Sequence, residues 1–384
     1  MLMPHFGKTH FGKTVAALTV MLCWMTAPAH GAVQYNIVML DVLPGGLDSE
    51  ALGLNDVGQV VGTSLRNRSG NVGQMRPVVW DYSGQPHELW TDQSVGGNLA
   101  DINNAGEIVG SYGSGSGIPL PTGGVPYGRA FYWNASTGRQ DIGFEPVGNS
   151  RAIAINDNGQ VAGSSERLEF VVVETGGTPQ PLYIPHAFIW DADDGIRELG
   201  GLGGFFTLAT AMNNVGQVVG YGDLANGHER AFIWDEQNGM RELPTLNGGE
   251  TRAVAINDLG QVLGGGPGMG AVIWDLPSGN IMPVPGGRDL NNLGQAVGGA
   301  YLVDQNQTVR LLTDLIPSDS GWEIENTFAI NDRSEIVGYG LLNGSVRALL
   351  MVPVPEPASL QITMMVFMVF VVRMSLRQRR PIQI

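Results

Sequence analysis

The chain carries a single cysteine and two lysines in 384 residues. Cys23 lies in an N-terminal stretch that reads as a leader. The exported protein would then hold no thiol, which excludes disulfides, thiolate nucleophiles and cysteine metal sites. Lys8 and Lys13 leave with the same stretch. Beyond it all cationic charge is arginine: 15 arginines stand between residues 32 and 352, against 36 acidic groups in the chain, or 35 without Glu356. The resulting net charge, about −20, repels nucleic acid and anionic membrane surfaces and suits solubility, cationic partners or divalent ions. Histidine is scarce too. His5, His10 and His30 fall in the leader or at its end, and His87, His186 and His228 show no paired-ligand spacing. No G-x-S-x-G elbow occurs. Gly7–Thr14 matches a phosphate-loop pattern letter for letter, but only six residues precede it and an apolar leader follows, so the flanking strand and helix that such a loop needs have no room.

Glycine, by contrast, is abundant at 56 residues, and much of it recurs at fixed places in one phrase. The phrase is apolar-Asn-(Asn/Asp)-x-Gly-(Gln/Glu)-(Val/Ile)-x-Gly, in seven copies beginning at Leu54, Ile102, Ile155, Met212, Ile256, Leu290 and Ile330. Its asparagines, Asn55, Asn103, Asn156, Asn213, Asn257, Asn291 and Asn331, step by 48, 53, 57, 44, 34 and 40 residues. That spacing is too long for leucine-rich or β-helical coils and suits a propeller blade of four strands. The phrase reads as a hairpin. An apolar run enters, Asn and Asp tolerate left-handed backbone and bond their own chain, and Gly supplies positive φ.

A second, aromatic and β-branched phrase follows most copies: Pro77–Asp81, Arg129–Trp133, His186–Asp191, Arg230–Asp235 and Ala271–Asp275, with a weak copy at Tyr301–Asp304 and a Trp-less one at Arg347–Met351. A third, such as Gly195–Leu199 or Gly239–Leu243, closes the unit, giving strands a, b, c and d. The last unit stops after strand c, while Tyr35–Val42 is a d-type strand with no unit before it. The expectation is an all-β, seven-bladed β-propeller closed by an N-terminal strand that completes the last blade. The alternative, a linear β-repeat solenoid, would need capping units that the sequence does not show.

Several of the recurring residues have side chains capable of chemistry. Trp80, Trp133, Trp190, Trp234 and Trp274 fill the gaps between blades or, alternatively, stack on sugars. Glu198 and Glu242 hold equivalent places on different blades, around a ring rather than across the single cleft that glycoside cleavage needs. Asp191–Gly195 resembles half a calcium loop, but Leu202 stands where the closing Glu would be. A plain hairpin turn is the simpler reading, an incidental calcium ion the alternative, and no other cofactor is implied. The b–c connections of the first three units, 64–76, 111–128 and 164–185, are long, and read as a crest of loops on one face that would meet a polysaccharide or protein partner.

Both ends read as addresses. Residues 1–31 have a basic start, an apolar stretch Val15–Met25 and a small-residue end, the pattern of a secretory signal peptide with its leader helix. At the other end come Pro355, Glu356 and Pro357, an apolar stretch 358–372, and then Arg373, Arg377, Arg379 and Arg380. Fifteen helical residues reach about 22 Å, short of a ~30 Å hydrocarbon core, so spanning would need thinning or snorkelling. The arginines should stay cytoplasmic, leaving the repeats outside.

This three-part tail resembles the PEP-CTERM sorting signal of Gram-negative bacteria. The resemblance implies a C-terminal transmembrane helix that anchors the chain transiently in the inner membrane through 358–372. It also implies processing near Pro355-Glu356-Pro357 by an exosortase-type enzyme, and delivery to the cell surface or a biofilm matrix, often beside exopolysaccharide. A permanent tail anchor is the alternative. The repeats resemble the HAF family of extracellular repeats: His186-Ala187-Phe188 carries the triplet literally, and Arg129, Arg230 and Arg347 replace its first residue. The domains expected are a signal peptide (1–31), a HAF-type propeller (32–352) and a sorting tail (353–384). The function expected is an exported, non-catalytic binding module of the cell surface or extracellular matrix, linked to exopolysaccharide or a surface protein and not to nucleic acid. An extracellular polysaccharide lyase or hydrolase on the same scaffold is the alternative.

Overall fold

The computed structural model describes residues 34–354, apart from 69–70, 91–94, 115–127, 144–147, 172–178, 246–247 and 268–269. The signal segment and the sorting tail, with Pro355, Glu356, Pro357, Arg373, Arg377, Arg379 and Arg380, lie outside the described residues. Among those described, no helix is long and apolar enough to cross a membrane.

After β1 (Tyr35–Leu40), the repeats build four-stranded sheets one after another. Blade 1 is β2 (Gly46–Leu54), β3 (Val60–Arg68), β4 (Asn71–Trp80) and β5 (Pro86–Glu88). Blade 2 is β6 (Val95–Ile102), β7 (Ile108–Ser114), β8 (Gly128–Asn134) and β9 (Gly138–Asp141). Blade 3 is β10 (Ser150–Ile155), β11 (Val161–Val171), β12 (Gln180–Asp191) and β13 (Gly195–Glu198). Blade 4 is β14 (Gly203–Met212), β15 (Val218–Leu224), β16 (Glu229–Asp235) and β17 (Gly239–Glu242). Blade 5 is β18 (Arg252–Ile256), β19 (Gln261–Gly266), β20 (Gly270–Asp275) and β21 (Asn280–Val284). Blade 6 is thin: β22 (Asp289–Leu290), β23 (Ala296–Gly298), β24 (Tyr301–Val303) and β25 (Val309–Leu311). Blade 7 takes β26 (Trp322–Ile330), β27 (Ile336–Leu342) and β28 (Ser345–Pro353) from the end of the chain and β1 from its start.

β1 runs antiparallel along β28, from Tyr35 opposite Pro353 to Leu40 opposite Ala348. The chain is therefore a seven-bladed β-propeller, and the linear stack is excluded, because the first and last units share one sheet. Closure covers the outer edge of β28, which would otherwise be open to pair with another chain.

In six blades the a–b pairing slips by one residue three places before the repeat asparagine, at Leu52, Ala100, Ile153, Thr210, Val254 and Phe328. A bulge of this kind bends the strand and re-aims its side chain, here toward the ring axis. The glycine that closes the phrase answers the bend: a Cβ on Gly220 would lie 2.0 Å from the Leu208 carbonyl oxygen, and one on Gly338 2.0 Å from that of Asn326. Any larger residue would push strand b off strand a.

The tryptophans pack between blades. Trp80 shares a buried cluster with Leu40, Ala348 and Leu350 of blade 7, and Trp234 one with Ala187 and Ile189 of blade 3. Trp190 and Trp274 do the same against blades 2 and 4. The indole N–H of Trp80 donates to the Asp41 carbonyl at 2.7 Å, and that of Trp274 to the Pro244 carbonyl at 2.8 Å. These rings are gap fillers and are closed to sugars.

The long b–c connections are not the loops expected. β3 and β4 stay paired out to Arg68 opposite Asn71, and β11 and β12 out to Val171 opposite Gln180. Alternating apolar and polar residues such as Leu168-Glu169-Phe170 carry strand geometry past the blade. The crest is thus made in part of two β-ribbon arms, and 115–127 of the middle connection lies outside the described residues.

Candidate functional site: the axial channel

The repeat asparagines form a closed hydrogen-bonded ring. Each donates from Nδ2 to the backbone carbonyl of its counterpart on the next blade: Asn55 to Asn103 (2.9 Å), Asn103 to Asn156 (3.0 Å), Asn156 to Asn213 (3.2 Å) and Asn213 to Asn257 (3.1 Å). Asn257 then donates to Asn291 (2.9 Å), Asn291 to Asn331 (2.9 Å), and Asn331 back to Asn55 (3.1 Å). Within each turn Oδ1 accepts the N–H four residues on, as Asn213 does from Gln217 at 2.9 Å, and Nδ2 also reaches that residue's side-chain oxygen at 2.8 Å. All seven asparagines are buried. None has positive φ, so left-handed backbone is not what selects them; the glycine after them takes that role. In blade 7 Ser334 stands in that glycine's place, at φ 61.

The next residue in each turn forms a second ring. Its backbone N–H donates to the side-chain Oδ1 of the following blade's residue, from Asp56 to Asn104 (2.8 Å) round to Asp332 and Asp56 (2.9 Å). The sequence around this ring alternates Asp56, Asn104, Asp157, Asn214, Asp258, Asn292, Asp332. Asn104 bridges Asp56 and Asp157, and Asn292 bridges Asp258 and Asp332. These turns line a vestibule of about 180 Å³ at one end of the axis, with the apolar residues preceding each asparagine, such as Ile155 and Ile330, forming its collar.

Beyond the collar lies a larger chamber of about 820 Å³, bounded by all seven blades. Its wall is the ring of bulge residues and the column after it. The bulge place in blade 6 is held by Arg288, whose guanidinium stacks on the Phe328 ring of blade 7 at 4.6 Å. In the next column five blades carry Gly or Ala, but blades 2 and 6 carry Asp101 and Asp289. Each of these half-buried carboxylates accepts two backbone N–H groups, its neighbour's (Ile102, 2.9 Å; Leu290, 2.8 Å) and one on the next blade (Ile155, 2.9 Å; Ile330, 2.8 Å). Burial pushes Asp101 up to about 7 against the lowering effect of those bonds, and raises Asp289 likewise. Asp289 also raises Asp101 by charge repulsion, while Asp289 itself is raised by Asp332 and lowered by Arg288. The chamber reaches the d–a connection 285–288, on the face that carries the b–c arms.

Arg288, Asp101 and Asp289 were not among the residues that the sequence singled out. Their signal was present, as departures within columns that are otherwise small and apolar once the repeats are aligned on the asparagine.

The other recurring groups are spent on the scaffold. The first residue of the Arg/His-Ala-Phe triplet ties strand c to strand d: Arg129 pairs with Asp141 at 3.2 Å and Arg230 with Glu242 at 3.0 Å, as Arg76 does with Glu88 at 2.5 Å. His186 instead meets Glu169 at 2.7 Å, and Glu198 pairs with Arg167 at 2.5 Å. The triplet's Ala donates its N–H to a hydroxyl on the next blade, as Ala187 does to Thr207 and Ala231 to Thr251. Its Phe is fully buried at 131, 188 and 232. Asp191 accepts the N–H groups of Asp193 and Asp194 through Oδ1, as an Asx turn. His87, His186 and His228 lie on blade 1, blade 3 and the b–c turn of blade 4.

No protein family and no curated protein matches this chain. It is similar in structure to TolB from Acinetobacter baumannii (16% identity, 77% of this chain and 63% of that one, TM-score 0.41). A gluconolactonase from Xanthomonas campestris is also similar (10% identity, 85% of this chain and 93% of that one, TM-score 0.41). So is a mannose phosphorylase from Leishmania mexicana in complex with phosphate (11% identity, 89% and 94%, TM-score 0.32). The chain spans less than two thirds of the TolB chain. These likenesses concern fold alone, and the blade count rests on the strand pairing.

Proposed function

We propose that this protein is an exported, non-catalytic repeat protein that serves as a binding module at the cell surface or in the extracellular matrix, linked to exopolysaccharide. The observation that carries the reading is a division of labour. Residues common to the repeats are consumed in holding blades together, whereas the repeats diverge at the chamber wall and the b–c arms, on one face. The blade 3 arm leaves an apolar side uncovered: Leu168 opposite Tyr183 and Phe170 opposite Pro181, with Phe170 70% exposed. Uncovered apolar surface of this kind marks contact sites. Delivery follows from the ends of the chain, through export by 1–31 and exosortase-type processing at Pro355-Glu356-Pro357 after a pause in the inner membrane.

The second reading, an extracellular lyase or hydrolase, is favoured by Asp101, a carboxyl poised near neutrality on the wall of a large chamber. One experiment separates the two. Purified protein is sedimented with exopolysaccharide from its producing strain while the viscosity of the polymer is followed. Co-sedimentation at constant viscosity supports the binding module. A fall in viscosity that Asp101→Ala abolishes supports the enzyme, and neither effect sinks both.

A further inference from the structure

The chamber wall combines three kinds of group. Arg288 offers a guanidinium that is held flat by Phe328 and has no ion-pair or hydrogen-bond partner among the described residues. Asp101 and Asp289 offer carboxylate oxygens with lone pairs to spare beyond their two N–H bonds. Leu52, Ile153 and Val254, on blades 1, 3 and 5, offer aliphatic groups to either side of Asp101 and Thr210. The thin sixth blade opens the wall locally: Gly286 lines the chamber, and a Cβ there meets nothing within 4 Å.

We propose that this chamber binds the terminus of a neutral oligosaccharide, with sugar hydroxyls on Arg288, Asp101 and Asp289 and the C–H face of the ring against these aliphatic groups. The inference rests on reading the chain as a polysaccharide-binding module and names the place and chemistry of that contact. A hydroxyl both donates and accepts, so one sugar satisfies the guanidinium and the carboxylates together; an apolar ligand would strand all three. An acidic sugar would face two carboxylates for one guanidinium inside a ring of net charge about −20. The volume, about 820 Å³, lies within the ~300–1,000 Å³ range of small-ligand sites.

The test titrates the purified protein with cellotetraose, maltotetraose and mannotetraose, and with tetragalacturonate as the acidic counterpart, by calorimetry or saturation-transfer NMR. At least one neutral tetrasaccharide should bind, tetragalacturonate should not, Arg288→Ala should weaken binding at least about tenfold, and Gly286→Trp, which sets a large side chain at the chamber wall beside Arg288 from an unstrained position, should abolish it. Both variants should keep the wild-type melting temperature, and a variant that does not is replaced by Arg288→Gln or Gly286→Phe. Neutral binding untouched by Gly286→Trp overturns the site, and tighter binding of tetragalacturonate overturns the ligand class. No tetrasaccharide bound, while the native polymer is still retained, overturns the chamber but leaves the binding-module reading standing. Failure to retain the polymer at all removes that reading itself.

Discussion

At the residue scale the repeat asparagine is the most constrained position in the molecule, since its amide must accept within its own turn and donate to the next blade at once. Asn213 shows the consequence. Asn213→Ala leaves the Gln217 N–H without a partner and takes one of two donors from the Asn257 carbonyl, which keeps the Gly260 N–H, and should cost about 2 kcal/mol. Asn213→Asp has the same shape but turns an oxygen toward the Asn257 carbonyl and the Gln217 side-chain oxygen, so urea melts should rank it below the alanine variant. Were the residue only a turn former, aspartate would be tolerated. Trp274, fully buried and bonded to Pro244, should lose about 3–5 kcal/mol as Trp274→Ala, read by the same melts. Asp101 sets a pH dependence. Its carboxyl is raised to about 7 by burial, against about 4 in the unfolded chain. Between those values the folded protein keeps a proton that the unfolded chain has released. Stability is therefore full below about pH 4 and is lost as pH rises through about 7, with Asp289 acting in the same direction. Thermal melts from pH 4 to 8 should show a shallower decline for Asp101→Ala than for wild type, and parallel curves would count against the buried proton.

At the element scale the a–b turns explain both what could be read from sequence and what could not. Recurrence of the Asn-Gly phrase made the strands, their order and their number legible, because one blade is a local structure repeated. The role of Asn55 was misread because its partner, the Asn103 carbonyl, lies 48 residues away and no local pattern reveals it. The chamber residues were missed for the opposite reason: attention to what repeats hides Arg288, Asp101 and Asp289, which matter because they do not. The arms show as alternation in Leu168-Glu169-Phe170, but they extend beyond the four-strand unit, so the repeat pattern alone does not mark them as strand. The turns also carry a parity defect. Seven positions cannot alternate Asp and Asn around a closed ring, so Asp332 and Asp56 meet with no amide between their side chains. Asp332→Asn keeps the Oδ1 that accepts the Asn292 N–H and adds a donor toward Asp56; the Asn292 side-chain amide loses Oδ2 of residue 332 but keeps its bond to Asp258. It should stabilise the ring by about 0.5–1 kcal/mol at neutral pH in dilute salt. The gain should shrink in 1 M salt, where the Debye length falls to about 3 Å, and a gain indifferent to salt would point away from charge.

At the scale of the whole molecule the parity defect and the joined ends are neighbours: Asp332 meets Asp56 where blade 7 is seamed to blade 1, and β1 and β28 pair within blade 7 itself. This seam differs from the other six in kind. Elsewhere a blade is a run of hairpins that can re-form locally. Blade 7 needs β1 and β28, from opposite ends of the described chain, to meet, and the entropy of closing that loop is lost only there. The thin blade 6, with strands of two or three residues, is the rival weak point, but its partners are close in sequence. Closure at the seam should therefore govern unfolding. Residues 34–354 contain no cysteine, so the idea can be tested with one engineered staple: Asn36→Cys with Val352→Cys, directly opposed on β1 and β28 and away from the fully buried positions. Constraining a loop of this length should add about 5–6 kcal/mol on chain-entropy grounds, less any strain. Relative to the reduced form, the oxidised form should then unfold more slowly in guanidinium, by at least about tenfold. If oxidation leaves the unfolding rate unchanged, rupture begins elsewhere in the ring, and blade 6 becomes the place to staple next.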